Sequence, residues 1–270
     1  MDYGLAGAST VITGAGGAIL GTVARMMASE RAKVAVWDLS LDRARDTVRE
    51  IRDAGGEAIA VECDATSRQS IENALQVSIE ALGAVEILVN GAGGSRAVAT
   101  TSEELSFFDI LPDDIRGVMD LNYLSTVLCC QTIGRHMGRQ KHGTIINVTS
   151  VAGMSPLTRA LAYSNGKAAA NSFTQWLAVH MAQQYSTRIR VNAVAPGFVL
   201  TDQNRFLLTH RDTGDMTERG RQIMSAVPVG RYGTPQEIAH VVLFLASGLS
   251  SFMHGAVVPV DGGFTAYAGV

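Results

Sequence analysis

The chain has 270 residues, of which 47% are hydrophobic and 17% charged, and its formal net charge is −3. That is enough apolar material for a substantial core, and too little basic charge for a nucleic-acid footprint. No apolar run approaches the ~18 residues that span a bilayer, and the opening MDYGLAGAS has no basic region before an apolar stretch, so neither a membrane partner nor a secretory signal is expected.

Short apolar runs alternate with longer stretches of helical periodicity. Strands are expected over 8–13, 33–38, 57–63, 85–90, 144–150, 189–195 and 256–260. Helices are expected over 18–30, 41–54, 67–82, 112–136, 160–185 and 234–247. The alternation predicts an α/β fold in which helices cover both faces of a parallel sheet, a single doubly wound Rossmann-like domain over 1–270. Residues 91–111 are glycine-rich and polar and read as a long loop, and 197–231 breaks the alternation and is expected to cover the substrate. There is no repeat and no linker.

Taken in order, the strand ends carry the chemistry. The first runs into Thr13-Gly14-Ala15-Gly16-Gly17-Ala18-Ile19-Leu20-Gly21. Glycines between a strand and a helix let backbone approach a pyrophosphate, and the helix N-terminus supplies N–H groups and a positive dipole. Asp38 closes the second strand, where a carboxylate can accept both ribose hydroxyls of an adenosine and would repel a 2′-phosphate, which favours NAD(H) over NADP(H); a solvated strand end is the plainer alternative. Asp64 follows the third strand and Asn90-Gly91-Ala92-Gly93 the fourth, on the edge where open parallel sheets bind ligands, although Asn90 would also serve as a turn former. Asn122 falls inside the helix expected over 112–136, where asparagine is mildly unfavourable.

The densest stretch is 150–167. Ser150 ends the fifth strand, and Tyr163 and Lys167 stand four apart on one helical face. A free tyrosine loses its proton near pH ~10, and a cation held close would lower that value. Lys167 is placed to be that cation and Ser150 to hold an oxygen that Tyr163 protonates or deprotonates, a device aimed at an alcohol or a carbonyl. The chain has only Lys33, Lys141 and Lys167 as lysines, so a chance Tyr-x-x-x-Lys is expected about a tenth of a time or less. A tyrosine packed on a snorkelling lysine is the plain alternative. Cys63, Cys129 and Cys130 and the six histidines show no metal-ligand spacing, so no metal is expected and a reduced, cytoplasmic enzyme is the direct reading.

These blocks, in this order, resemble the short-chain dehydrogenase/reductase family over essentially the whole chain. The resemblance implies Tyr163 as acid/base, Lys167 as the group that lowers its pKa and grips the nicotinamide ribose, Ser150 as the holder of the reacting oxygen, and Asn122 as the anchor of a relay water. It implies an NAD site built from Gly14, Gly16, Gly17, Ile19, Asp38, Asp64, Ala65, Asn90, Gly91, Ala92, Tyr163, Lys167, Pro196, Gly197 and Val199, and a homotetramer. One departure stands out. The family turn reads Thr-Gly-x-x-x-Gly-x-Gly, whereas here Ala18 and Leu20 fill the last two glycine positions, and Leu20 puts a large side chain where helix and strand normally pack closely.

Within the family, 173–180, 196–208 and 259–267 resemble the branch of D-mannonate oxidoreductases, or fructuronate reductases. A sugar acid needs a fixed cation for its carboxylate and several hydroxyl partners. Arg205, flanked by Gln203 and Asn204, is the first candidate, with Arg96 and Arg159 on other loops of the same edge; a solvated loop arginine is the alternative for each. A dehydrogenase of another polyol, a keto-gluconate or a 3-oxoacyl substrate is the competing enzyme reading, and a cofactor-binding scaffold without turnover the competing class.

Overall fold

The computed structural model describes residues 3–201, 205–210 and 212–269. Seven strands form one parallel sheet in the order β3-β2-β1-β4-β5-β6-β7. In chain order they are β1 (Ser9–Thr13), β2 (Lys33–Asp38), β3 (Glu57–Glu62), β4 (Ile87–Asn90), β5 (Gly143–Val148), β6 (Ile189–Pro196) and β7 (Val257–Val260). The helices are α1 (Ala18–Ser29), α2 (Leu41–Asp53), α3 (Arg68–Leu82), α4 (Pro112–Met119), α5 (Ser125–Gln140), α6 (Leu161–Gln184), α7 (Arg205–Leu208), α8 (Glu218–Ser225) and α9 (Pro235–Ala246).

The strands read as continuous apolar runs because both sheet faces are covered. Ile12, Val34, Val36, Val89, Ile146 and Val194 pack toward α1, α2 and α9. The alternate residues Val11, Ala35, Trp37, Leu88, Ile145 and Val191 pack toward α3, α5 and α6. The chain runs outward from β1 through β2 to β3 and then returns to pair β4 on the other side of β1. This reversal opens a crevice at the strand C-termini between Thr13 and its register partner Asn90.

Local signals set the helix starts. Pro112 opens α4. Thr234 and Glu237 close a reciprocal capping box on α9, with the Glu237 N–H donating to Thr234 Oγ1 at 3.3 Å and the Thr234 N–H to Glu237 Oε2 at 2.8 Å. Two expectations change. The helix expected over 112–136 is α4 and α5 joined by a π-turn, Asp120–Leu124, which ends only at Gln140. The irregular segment 197–231 contains α7 and α8, bridged by Thr209 and Met216. Among the described residues no helix is long and apolar enough to cross a membrane, and no group of three metal-ligating side chains comes together.

Candidate active site

Four side chains expected to do the chemistry meet where β5, α6 and the π-turn converge. Ser150 follows β5 in extended backbone and caps the short turn Val151–Gly153, its Oγ accepting the Ala152 N–H at 3.1 Å. It shares the cavity wall with Tyr163, near the start of α6. One turn on, Lys167 is buried, donates from Nζ to the Val148 carbonyl at 3.0 Å and lies 5.8 Å from the centre of the Tyr163 ring. Asn122 is fully buried in the π-turn, a form of helix that recurs at functional sites. Its Nδ2 donates to the Gly94 carbonyl at 2.8 Å and the Val118 carbonyl at 2.9 Å, and its Oδ1 accepts the Gly94 N–H at 3.0 Å. A mid-helix asparagine is therefore satisfied by tying the loop after β4 to the widened turn.

Glycines let these pieces close. A Cβ on Gly153 would sit 2.6 Å from the Lys167 carbonyl carbon, and one on Gly166 would sit 3.0 Å from Asn122 Cβ. At Gly93 it would lie 2.8 Å from Asn122 Oδ1 and 3.1 Å from Lys167 Nζ. Backbone approach at those three points brings the serine turn, the asparagine and the lysine onto one end of α6.

Burial sets the electrostatics of the pair. Burial pushes the Tyr163 hydroxyl above the ordinary tyrosine value, and the neighbouring Ser150 only partly offsets this. Burial also pulls Lys167 down, from 10.5 to about 8. The Lys167 ammonium is engaged by Val148 and sits on the ring side of Tyr163.

The glycine turn is built to take an anion. Gly14 has a φ of +70°, and a Cβ there would meet the Ala92 and Gly91 backbone at 3.1 Å, so the position suits only glycine. Gly17 is the N-cap of α1 and offers no side chain, so the leading amides, including that of Ile19, have no capping partner. Asp38 reaches over from β2, Oδ2 accepting the Gly16 N–H at 2.9 Å and Oδ1 the Ser40 N–H at 3.0 Å. Thr13 Oγ1 accepts the Gly91 and Ala92 amides at 3.0 and 3.1 Å, which fixes the loop after β4 to the end of β1. Leu20 fits without strain because its branched end occupies the space above the Gly91 Cα.

A cavity of about 350 Å³ opens at this edge. Of the expected residues it is lined by Gly14, Gly17, Ile19, Gly91, Ser150, Tyr163, Lys167, Pro196, Gly197 and Val199. Gly197 is where the turn after β6 touches the end of β7, since a Cβ there would lie 2.6 Å from Asp261 Cα. Gly16, Asp38, Asp64 and Ala65 sit outside the cavity, the last three at the adjacent ends of β2 and β3. The Asp64 carboxylate folds back on Thr66, accepting its N–H at 2.8 Å and its hydroxyl at 2.6 Å. Asn122 lies behind the wall, as does Ala92. Asn90 points the other way: its Nδ2 donates to Asn147 Oδ1 at 2.9 Å and to Cys130 Sγ at 3.2 Å, inside the core.

No arginine is among the described residues that line the cavity. Arg96, Arg159 and Arg205 are all exposed. The Arg96 guanidinium lies near Gly117 of α4, and Arg205 opens α7. Gln203 and Asn204 lie outside the described residues. Sequence reasoning missed Thr13, Gly94, Leu157 and Phe198: the first two tie the loop after β4 in place, and the last two wall the cavity. Only Thr13, just ahead of the glycines, carried a positional signal.

An anion-ready helix start, a carboxylate at the end of β2 and a serine–tyrosine–lysine cluster across the switch-point crevice together define a nicotinamide-dependent oxidoreductase architecture. The family model described as enoyl-(acyl carrier protein) reductase matches residues 14–265. The chain belongs to the short-chain dehydrogenase/reductase family of enzymes. It is 40% identical to the uncharacterized oxidoreductase UxuB of Bacillus subtilis over 98% of both chains. It is 34% identical to the 7alpha-hydroxysteroid dehydrogenase of Escherichia coli strain K12, over 96% of this chain and 94% of that one. A crystal structure of a Haemophilus influenza protein with bound NAD, provisionally named a D-mannonate oxidoreductase, superposes with a TM-score of 0.92 at 37% identity over 98% of both chains.

Proposed function

We propose that the protein interconverts a secondary alcohol and a ketone by hydride transfer with NAD(H), on a sugar acid of the D-mannonate/D-fructuronate type. The observation that carries the reaction is the convergence of Ser150, Tyr163 and Lys167, with Asn122 behind them, on one cavity whose other end is the bare N-terminus of α1. The nicotinamide, when bound, supplies the hydride acceptor or donor. Tyr163 moves the proton at the substrate oxygen, and Ser150 holds that oxygen. Lys167 fixes the ribose and recharges the relay, and Asn122 keeps the loop after β4 over it. Asp38 takes the adenosine ribose diol and disfavours a 2′-phosphate, and Asp64 and Ala65 border the adenine.

The sugar-acid class is supported by the provisional name of the NAD-bound relative at 37% identity, and residues 197–231 serve as its cover. Arg205, Arg96 and Arg159 are the candidate cations for a carboxylate, Arg205 first. A second reading draws on Val151, Leu157 and Phe198, which give the cavity apolar walls suited to a neutral, more hydrophobic ketone. A homotetramer fits the exposed groove of about 1100 Å³ between α5 and α6, along which Phe173, Trp176 and His180 stack with ring centres 6.3 and 4.7 Å apart. Three buried free cysteines suit a reducing cytoplasm.

The test is NADH oxidation across a panel of D-fructuronate, neutral keto-sugars of equal length, 3-oxoacyl esters and an oxo-steroid. The sugar-acid reading expects the highest kcat/KM with D-fructuronate; preference for an acyl ketone or steroid overturns it in favour of the apolar reading.

A further inference from the structure

The position of Leu20 is unusual in what it replaces and in what it touches. It stands in the first turn of α1, is 7% exposed, and borders the cavity. A Cβ built on Gly91 would collide with its Cγ and lie 2.6 and 2.7 Å from Cδ1 and Cδ2. The leucine thus occupies the volume that a side chain at 91 would fill. Gly91 cannot retreat, because its amide and that of Ala92 are held by Thr13 Oγ1 and its carbonyl carbon abuts Gly14. Around Leu20, the body of α1 packs into the core with Val23 and Ala24, which are fully buried. The open direction left to a displaced leucine is the cavity itself.

We propose that Leu20 is a cofactor-positioning residue: seated on the bare Cα of Gly91, it forms the apolar wall against which the dinucleotide lies at the switch point. The exchange of glycine for leucine at 20 is matched by the absence of a side chain at 91, and the two positions act as one steric unit. This rests on the reading that the cavity takes NAD(H). A methyl at 91 drives Leu20 into the cavity and narrows the space for the cofactor. Truncating Leu20 removes the wall but leaves room, and it makes a methyl at 91 harmless.

The experiment is a double-mutant cycle with Gly91→Ala and Leu20→Ala in the full chain. It reads the NADH Kd by fluorescence, KM for NADH against kcat, and melting temperature with and without NADH. Gly91→Ala should weaken NADH at least tenfold and raise its KM with smaller change in kcat. Leu20→Ala should weaken it a few-fold. The double variant should bind within about threefold of Leu20→Ala, recovering most of the loss. If Gly91→Ala fails to fold, restored folding in the double variant still establishes the steric unit, and Leu20→Ala alone decides the cofactor role. A lowered melting temperature in Leu20→Ala with parental Kd and KM would make Leu20 a packing residue only. Additive effects in the cycle would also overturn the proposal. A parent chain that does not bind NADH would instead refute the cofactor reading on which the proposal stands.

Discussion

Lys167 passes beneath Tyr163 to the end of β5: its Nζ donates to the Val148 carbonyl at 3.0 Å while standing 5.8 Å from the tyrosine ring centre. The lysine is thereby held by backbone rather than by the phenol, and Ser150 shares the cavity wall with Tyr163. Tyr163→Phe removes the titrating oxygen and keeps the ring. Turnover should fall by roughly 10²–10⁴ with NADH binding retained. Turnover near the parent's in that variant would place the acid/base elsewhere.

Burial gives Lys167 a pH signature. Its folded value of about 8 lies below the ordinary 10.5, so between these values the unfolded chain binds more protons than the folded one. Stability tied to this group is therefore lowest below pH 8 and rises as pH climbs from 8 toward 10.5. Tyr163 works in the opposite sense: raised by burial, it lets stability fall once pH passes the unfolded value near 10. Melting curves from pH 7 to 9.5 should show the parent gaining on Lys167→Met, which lacks the titration. Parallel curves would mean that the ammonium is better solvated than its burial implies.

Asp38 uses both carboxylate oxygens on the protein, one on the Gly16 amide and one on the Ser40 amide. Activity with NAD(H) should exceed that with NADP(H) by at least tenfold, since a 2′-phosphate would meet this charge. Asp38→Ala should narrow the ratio. It should also raise the NADH KM, because the Gly16 amide loses its acceptor and the turn loosens. A parent enzyme that uses both cofactors equally would contradict this assignment.

Asn122 closes three hydrogen bonds, two across a gap of 28 residues to Gly94 and one back to Val118 in the preceding turn. Asn122→Ala leaves buried backbone groups unpaired, a penalty of about 1–3 kcal/mol for each that water cannot reach. The variant should melt several degrees lower and turn over more slowly. Unchanged stability would show that water satisfies those groups.

These relationships divide by how local their cause is. Tyr163 and Lys167 were legible because four-residue spacing fixes a shared helix face, and Asp38 because it closes the apolar run of the second strand after the glycine turn. The alternation of apolar runs gave the sheet and its covering helices for the same reason. The π-turn at Asp120–Leu124 was not legible: what stabilises it is Asn122 bonding Gly94, 28 residues away. The accommodation of Leu20 depends on Gly91 in the loop after β4, which no window around α1 contains. Helices as short as Arg205–Leu208 carry too little periodicity to be seen inside 197–231. The arginines illustrate a further limit, since sequence placed Arg96 on the right edge while its guanidinium turns toward Gly117.

Gly153 offers a test of how the serine is aimed. A methyl there would lie 2.6 Å from the Lys167 carbonyl carbon, 2.7 Å from its oxygen and 2.8 Å from the Ala168 nitrogen, all helical backbone that cannot rotate aside. The Val151–Gly153 turn would have to lift from α6, and Ser150, its N-cap, would move with it away from Tyr163. Gly153→Ala should therefore lower kcat by tenfold or more while the NADH KM, set at the other end of the cavity, stays within about twofold. Stability should fall by roughly 1–3 kcal/mol from the overpacked contact. Gly248→Ala is the control, because a Cβ there meets nothing within 4 Å. If Gly153→Ala melts early yet keeps the parental kcat, the turn has relaxed without carrying Ser150 along, and the serine is positioned by β5 alone.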